Sequence, residues 1–131
     1  MVAETQVPIK QGGDIITARQ AGRALAAQIG FSSADQTLIA TAISEMARNI
    51  LTYAKKGEII LCLEDGSRPG LTIIAADEGP GIPDIQQALQ NGYSTTGSLG
   101  LGLPGTKRIM DEFSIISEVG KGTVVTMKKW K

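Results

Sequence analysis

Ser33-Ala34-Asp35-Gln36-Thr37-Leu38-Ile39-Ala40-Thr41-Ala42-Ile43-Ser44-Glu45-Met46-Ala47-Arg48-Asn49-Ile50-Leu51 is the most regular stretch of this chain. It opens on the Ser-x-x-Gln pattern of a capping box, in which side chains satisfy the first amides of a helix. Leu38, Ile39, Ala42, Ile43, Met46, Ala47, Ile50 and Leu51 then recur at the spacing of one helical face, and the pattern continues until Gly57. The spacing predicts a helix over 33–56. Glu45 and Asn49 stand four residues apart, so both lie on one face of that helix, at the edge of its apolar stripe. Taken alone they read as two solvated polar residues. With a second polar cluster nearby they would share a site.

Working outward, residues 7–10 form a short candidate strand. Gly12-Gly13-Asp14 then leads into a helical pattern carried by Ile15, Ile16, Ala18, Leu25, Ala26 and Ile29, and Gly30 closes it. Residues 58–64 and 70–76 are β-prone runs separated by Asp65-Gly66-Ser67-Arg68-Pro69, a set of turn formers that predicts an antiparallel hairpin. Residues 83–90 suggest a short helix, 91–98 a polar loop and 103–113 a helix that Pro104 can start. Strands at 114–119 and 123–130, joined by Gly120-Lys121-Gly122, form a second hairpin. Antiparallel pairs with helices between them predict an α/β two-layer sandwich, helices on one face of a mixed, mostly antiparallel sheet.

With 131 residues, 42% hydrophobic and 20% charged, the chain suits one soluble globular domain spanning 1–131. Thirteen basic and thirteen acidic residues cancel, so no overall field draws it to nucleic acid or to an anionic membrane. The opening Met1-Val2-Ala3-Glu4-Thr5-Gln6 lacks a signal pattern and no apolar run approaches a membrane span, which points to the cytoplasm. Cys62 lies in an apolar run and reads as core rather than as a reactive thiol; Trp130 reads as a packing residue. The absence of histidine excludes histidine base catalysis, His-ligated metal and phosphorylation on histidine.

Two further segments carry candidate chemistry. In Ala76-Asp77-Glu78-Gly79-Pro80-Gly81-Ile82-Pro83 a carboxylate ends an apolar strand beside two glycines, a place suited to an exocyclic amine such as that of adenine, and equally to a tight turn capped by Asp77. Thr95-Thr96-Gly97-Ser98-Leu99-Gly100-Leu101-Gly102-Leu103-Pro104-Gly105 is a glycine-rich loop opening a helix, where amides and the helix dipole favour phosphate. Its Gly-x-Gly-x-x-Gly follows no strand of a βαβ unit, and Thr106-Lys107 after Gly105 breaks the Walker order, so neither a Rossmann site nor a P-loop is expected.

Glu45-x-x-x-Asn49, Asp77-x-Gly79-x-Gly81, Gly97-x-x-Gly100-x-Gly102 and Gly120-x-Gly122-Thr123 together resemble the successive boxes of the GHKL superfamily, whose Bergerat fold binds ATP. Thr41 to Ile50, Gly92 to Gly97 and Gly102 to Phe113 are similar to its stressosome switch kinases, which are serine/threonine kinases. The resemblance implies that Asn49 ligates Mg²⁺, Glu45 acts as general base, and Asp77 accepts the adenine amine with help from Thr123. It further implies that Gly79, Gly81 and Ile82 lie against the nucleotide, while Thr95, Thr96, Gly97, Gly100, Leu101 and Gly102 wrap the triphosphate. A lid over 82–99 would exclude water. The implied partners are STAS-domain scaffold proteins as substrates and a PP2C-type phosphatase downstream. An anti-sigma factor kinase and a non-catalytic ATP-binding adaptor are the alternatives within this reading.

Overall fold

The computed structural model describes residues 4–64, 67–81 and 102–131. Strand β1, Glu4–Ile9, feeds directly into helix α1, Gly12–Gln28. The Asp14 carboxylate accepts from the amides of Lys10, at 2.8 Å, and Gln11, at 3.1 Å, satisfying donors that the helix start leaves over. At the far end Gly30 adopts φ +91°, and the Phe31 amide donates to the Ala26 carbonyl at 3.0 Å. That is the left-handed stop expected of Gly30.

Helix α2 spans Ser33–Asn49. Its cap is Ser32 rather than Ser33: the Ser32 hydroxyl accepts from the Asp35 amide at 3.1 Å. The helix is also shorter than its periodicity suggested. Residues Ile50–Ala54 widen into a π turn, and Lys55 leaves it at φ +73°. Strands β2, Gly57–Glu64, and β3, Gly70–Asp77, form the expected antiparallel hairpin. Helix α3, Gly102–Ile109, stops before the predicted 113; Phe113 belongs instead to strand β4, Glu112–Glu118, which pairs with β5, Gly122–Trp130. The segments expected at 83–90 and 91–98 lie outside the described residues.

The sheet runs in the order β1-β2-β3-β5-β4, and every pairing is antiparallel. Alternation sends Val7 and Ile9, Ile59, Leu61 and Leu63, Leu71, Ile73 and Ala75, and Val125 and Met127 to one face, where they are buried with Ile39, Ala42, Ile43, Met46 and Ile50 of the α2 segment. Each large side chain so buried contributes roughly 1.5–3 kcal/mol. The two long helices cross closely at Gly22, where an added Cβ would fall 2.1 Å from the Ile43 Cδ1. Helix α3 packs on α2 with Thr106 and Met110 buried.

The other sheet face carries half-buried Ile60, Cys62 and Ile74 beside exposed Val124 and Ile116. Cys62 is therefore not in the core: strand parity turns it away from the helices, 3.9 Å from a Glu4 carboxylate oxygen. Trp130 packs as expected, its indole N–H on Glu112 at 2.7 Å and its ring 5.4 Å from the Arg68 guanidinium. Among the described residues no helix is long and apolar enough to cross a membrane.

Candidate nucleotide-binding site

The register of the sheet assembles one end of the site. Asp77, the last residue of β3, stands opposite Gly57 on β2 and Thr123 on β5, and Thr123 in turn stands opposite Ser117 on β4. Directly opposed residues share a face, so Asp77, Thr123 and Ser117 form a row on the helix-covered side. Asp77 Oδ1 accepts from the Gly79 amide at 2.9 Å, which orients the half-buried carboxylate. Thr123 is buried, with its Oγ1 2.8 Å from Ser117 Oγ.

The glycines around this row serve chain-to-chain contact. Gly122, at φ +126°, presses so closely on β3 that an added Cβ would lie 2.1 Å from the Asp77 carbonyl oxygen. A Cβ on Gly79 would lie 2.5 Å from that of Ala54 in the π turn, and one on Gly81 would lie 2.5 Å from the Glu118 carbonyl oxygen. The Gly120 amide adds a 2.9 Å bond to the Pro80 carbonyl. The turn after Asp77 is thus clamped between the end of α2 and the β4–β5 turn. Gly79 and Gly81, expected to admit a nucleotide, have their missing side chains' space taken by protein.

The second half of the site is on α2. Glu45 is buried, 5% exposed, and its carboxylate is ion-paired with Arg48 at 2.5 Å; the Arg48 guanidinium reaches solvent. Together with Arg19, Arg23, Thr41 and Ser44 these two line a groove of about 530 Å³ between α1 and α2. Asn49 is half-buried and closes the helix just before the π turn. Gly57 links this end to the row: a Cβ there would lie 2.8 Å from Ile50 Cγ2 and 3.1 Å from Asp77 Cβ.

The donor set fits an adenine nucleotide. The Asp77 carboxylate suits an exocyclic amine, and the Asn49 amide oxygen suits a hard divalent cation. Among the described residues no group of three or more His, Cys, Asp or Glu is arranged to hold a metal. A cation brought in with phosphate oxygens needs only one or two protein ligands.

The sequence profile of the histidine kinase-like ATPase domain matches residues 11–129. The chain belongs to the histidine kinase-like ATPase family. One relative, the serine/threonine-protein kinase RsbT of Bacillus subtilis (strain 168), is 55% identical over 118 residues, covering 89% of each chain. The anti-sigma F factor of Geobacillus stearothermophilus is 34% identical over 121 residues, 86% of this chain and 81% of its own. The fold is shared with the crystal structure of the RsbU and RsbW domains of a Mycobacterium tuberculosis protein, at TM-score 0.63 and 19% identity, over 98% of this chain and 32% of that one.

As a histidine kinase-like ATPase, the chain carries its expected site residues in two described groups: Asp77, Gly79, Gly81 and Thr123 around the sheet end, and Glu45 with Asn49 on α2. Gly102 opens α3. Ile82, Thr95, Thr96, Gly97, Gly100 and Leu101 lie outside the described residues. Sequence reasoning missed Ser117, Ala54 and Arg48. The signal for Ser117 was available, because a tight turn at 119–121 sets it opposite Thr123 in the last hairpin.

Proposed function

We propose that this chain is an ATP-dependent protein kinase that phosphorylates serine or threonine in a partner protein. The observation that carries the reading is a buried carboxylate, Glu45, one helical turn before Asn49 in a chain that matches a serine/threonine kinase at 55% identity. Asn49 would hold Mg²⁺, and Asp77 with Thr123 would hold the adenine. The amides at Gly97, Gly100 and Gly102, with Thr95, Thr96 and Leu101, would cradle the phosphates, and Ile82 would line the base. ATP supplies the phosphoryl group, its charge offset by the metal. Glu45 would take the proton of an incoming hydroxyl, and Arg48, paired with it, would hold the carboxylate in orientation until the acceptor arrives.

The substrates would be STAS-domain scaffold proteins and the downstream partner a PP2C-type phosphatase, with all of this carried by one cytoplasmic domain over 1–131. Incubation with Mg²⁺, labelled ATP and STAS-domain proteins of the same organism, followed by mass spectrometry, tests it. Label on a partner serine or threonine is expected; ATP binding with no transfer would favour the adaptor. Likeness to an anti-sigma factor at 34% identity supports a second reading, in which the chain also sequesters a sigma factor. Recovery of a sigma factor in a pull-down would select it.

A further inference from the structure

We infer that the groove between α1 and α2 is the docking site for the acceptor, and that it takes an extended polypeptide segment with acidic side chains around the serine or threonine. This rests on the reading of Glu45 as the base. The lining sets three guanidinium groups, Arg19, Arg23 and Arg48, against one carboxylate, Glu45, a local excess of two positive charges in a chain whose total is zero. Glu45 is already paired with Arg48, and among the described residues neither Arg19 nor Arg23 forms an ion pair. The hydroxyls of the groove are taken up within α2. Those of Thr37, Thr41 and Ser44 donate to the Ser33, Thr37 and Ala40 carbonyls, at 3.1, 2.9 and 2.9 Å. The donors left for a ligand are guanidinium N–H groups, whose natural complement is a carboxylate.

The spacing fits an extended chain. Arg19 and Arg23 stand four residues apart on one face of α1, about 6 Å along its axis, close to the roughly 6.6 Å between alternate side chains of a strand. Acidic residues immediately before and after the acceptor meet these two arginines. Alternation then turns the acceptor hydroxyl to the opposite wall, where Glu45 stands on α2. Arg48 is on that wall too. It gives Nη1 to Glu45, and with its side chain 46% exposed the rest of its fork is open to a second carboxylate, two residues from the acceptor. Arg48 thereby ties the segment to the base. Ile16, 48% exposed and three residues before Arg19 on the same face, adds an apolar contact. Three cations beside an apolar side chain suit a polypeptide; a nucleic acid calls for a longer basic stripe.

The test is fluorescence anisotropy of the full chain with two short labelled peptides. One carries aspartate on both sides of a serine and a third two residues before it; the other has asparagine at all three places. The aspartate peptide should bind about tenfold more tightly, and the difference should shrink when NaCl is raised to about 0.5 M. Arg19→Gln and Arg23→Gln should each weaken its binding about two- to fivefold, with the melting temperature and the affinity for Mg-ATP little changed. Arg19→Glu should bind a lysine version of the peptide better than the wild-type chain does, which damage to the fold would not produce. With a STAS-domain protein as acceptor, Arg19→Gln/Arg23→Gln should raise KM, whereas Arg48→Lys, which keeps the charge and loses the fork, should lower kcat. Equal binding of the two peptides, binding of neither, or loss of Mg-ATP affinity in the Arg19 and Arg23 variants would overturn the inference. Selective binding of the aspartate peptide without phosphotransfer to any acceptor would sink the kinase reading and leave the groove as a docking site. Phosphotransfer with unchanged KM in Arg19→Gln/Arg23→Gln would do the reverse.

Discussion

Glu45 is the side chain at which the proposed reading separates binding from chemistry. A carboxylate 5% exposed is costly to keep unless it is paired, and the Arg48 guanidinium supplies the pair. Glu45→Gln preserves shape but removes the proposed base. Phosphotransfer should fall by about 10²–10⁴-fold, while ATP affinity, measured by calorimetry, stays within a few fold. Unchanged transfer would refute the base role. Cys62 makes the opposite case of a titratable group outside the site. Burial first, then the carboxylates of Glu4 and Glu64, push its thiol above the ordinary value of 9.0. The folded chain therefore holds that proton more tightly than the unfolded chain. The associated stability is complete below the unfolded value and is lost as pH rises through the folded one. At pH 8 iodoacetamide should modify Cys62 more slowly in the native protein than in urea, and mass spectrometry over time would show it; equal rates would refute the shift.

Between elements, the contacts that build the site are mostly backbone against backbone. Gly122 combines φ +126° with the closest approach to Asp77, so Gly122→Ala brings both torsional strain and a clash with a carbonyl oxygen. It should cost about 1–3 kcal/mol in urea unfolding, and ATP binding should weaken as Asp77 shifts. Normal affinity in that variant would show that β3 and β5 can separate without disturbing the base site. Such contacts also explain what was legible in advance. The two hairpins and the face of α2 follow from local periodicity, and both were readable; strand parity was not used, and Cys62, expected in the core, lies on the other sheet face. The end of α2 was not readable. Ile50 and Leu51 continue the helical pattern, and the departure into a π turn is tied to Ala54 packing on Gly79, far along the chain. Phe113 fits helical spacing after Ile109 as well as it fits alternation with Ile115 and Ser117; pairing with Met127 on β5 decides for the strand. Asp77 and Thr123 announced themselves by their glycines. Ser117 has no such flag and acquires its place through register alone.

At the scale of the molecule, the proposed site joins parts that the core holds only at a distance. Asn49 ends α2, Asp77 ends β3, Thr123 follows Gly122 at the start of β5 and Gly102 begins α3. A ligand touching all four would bind the folded chain and not the unfolded one, so its affinity becomes stability. Mg-ATP at a hundred times its dissociation constant should raise the unfolding free energy by about 2.7 kcal/mol, read as a shift of the urea midpoint. In the proposed site the metal and the adenine would enter this gain through different elements. Asn49→Ala should erase the part of the shift that EDTA abolishes, yet keep the part seen with ATP alone. Asp77→Asn should lower both, because the base contact is lost whether or not metal is present. If Asn49→Ala removed all stabilisation by ATP with or without metal, Asn49 would be holding the site together rather than the cation. A metal-specific loss would assign it the cation and leave the sheet end as an independent platform for the base.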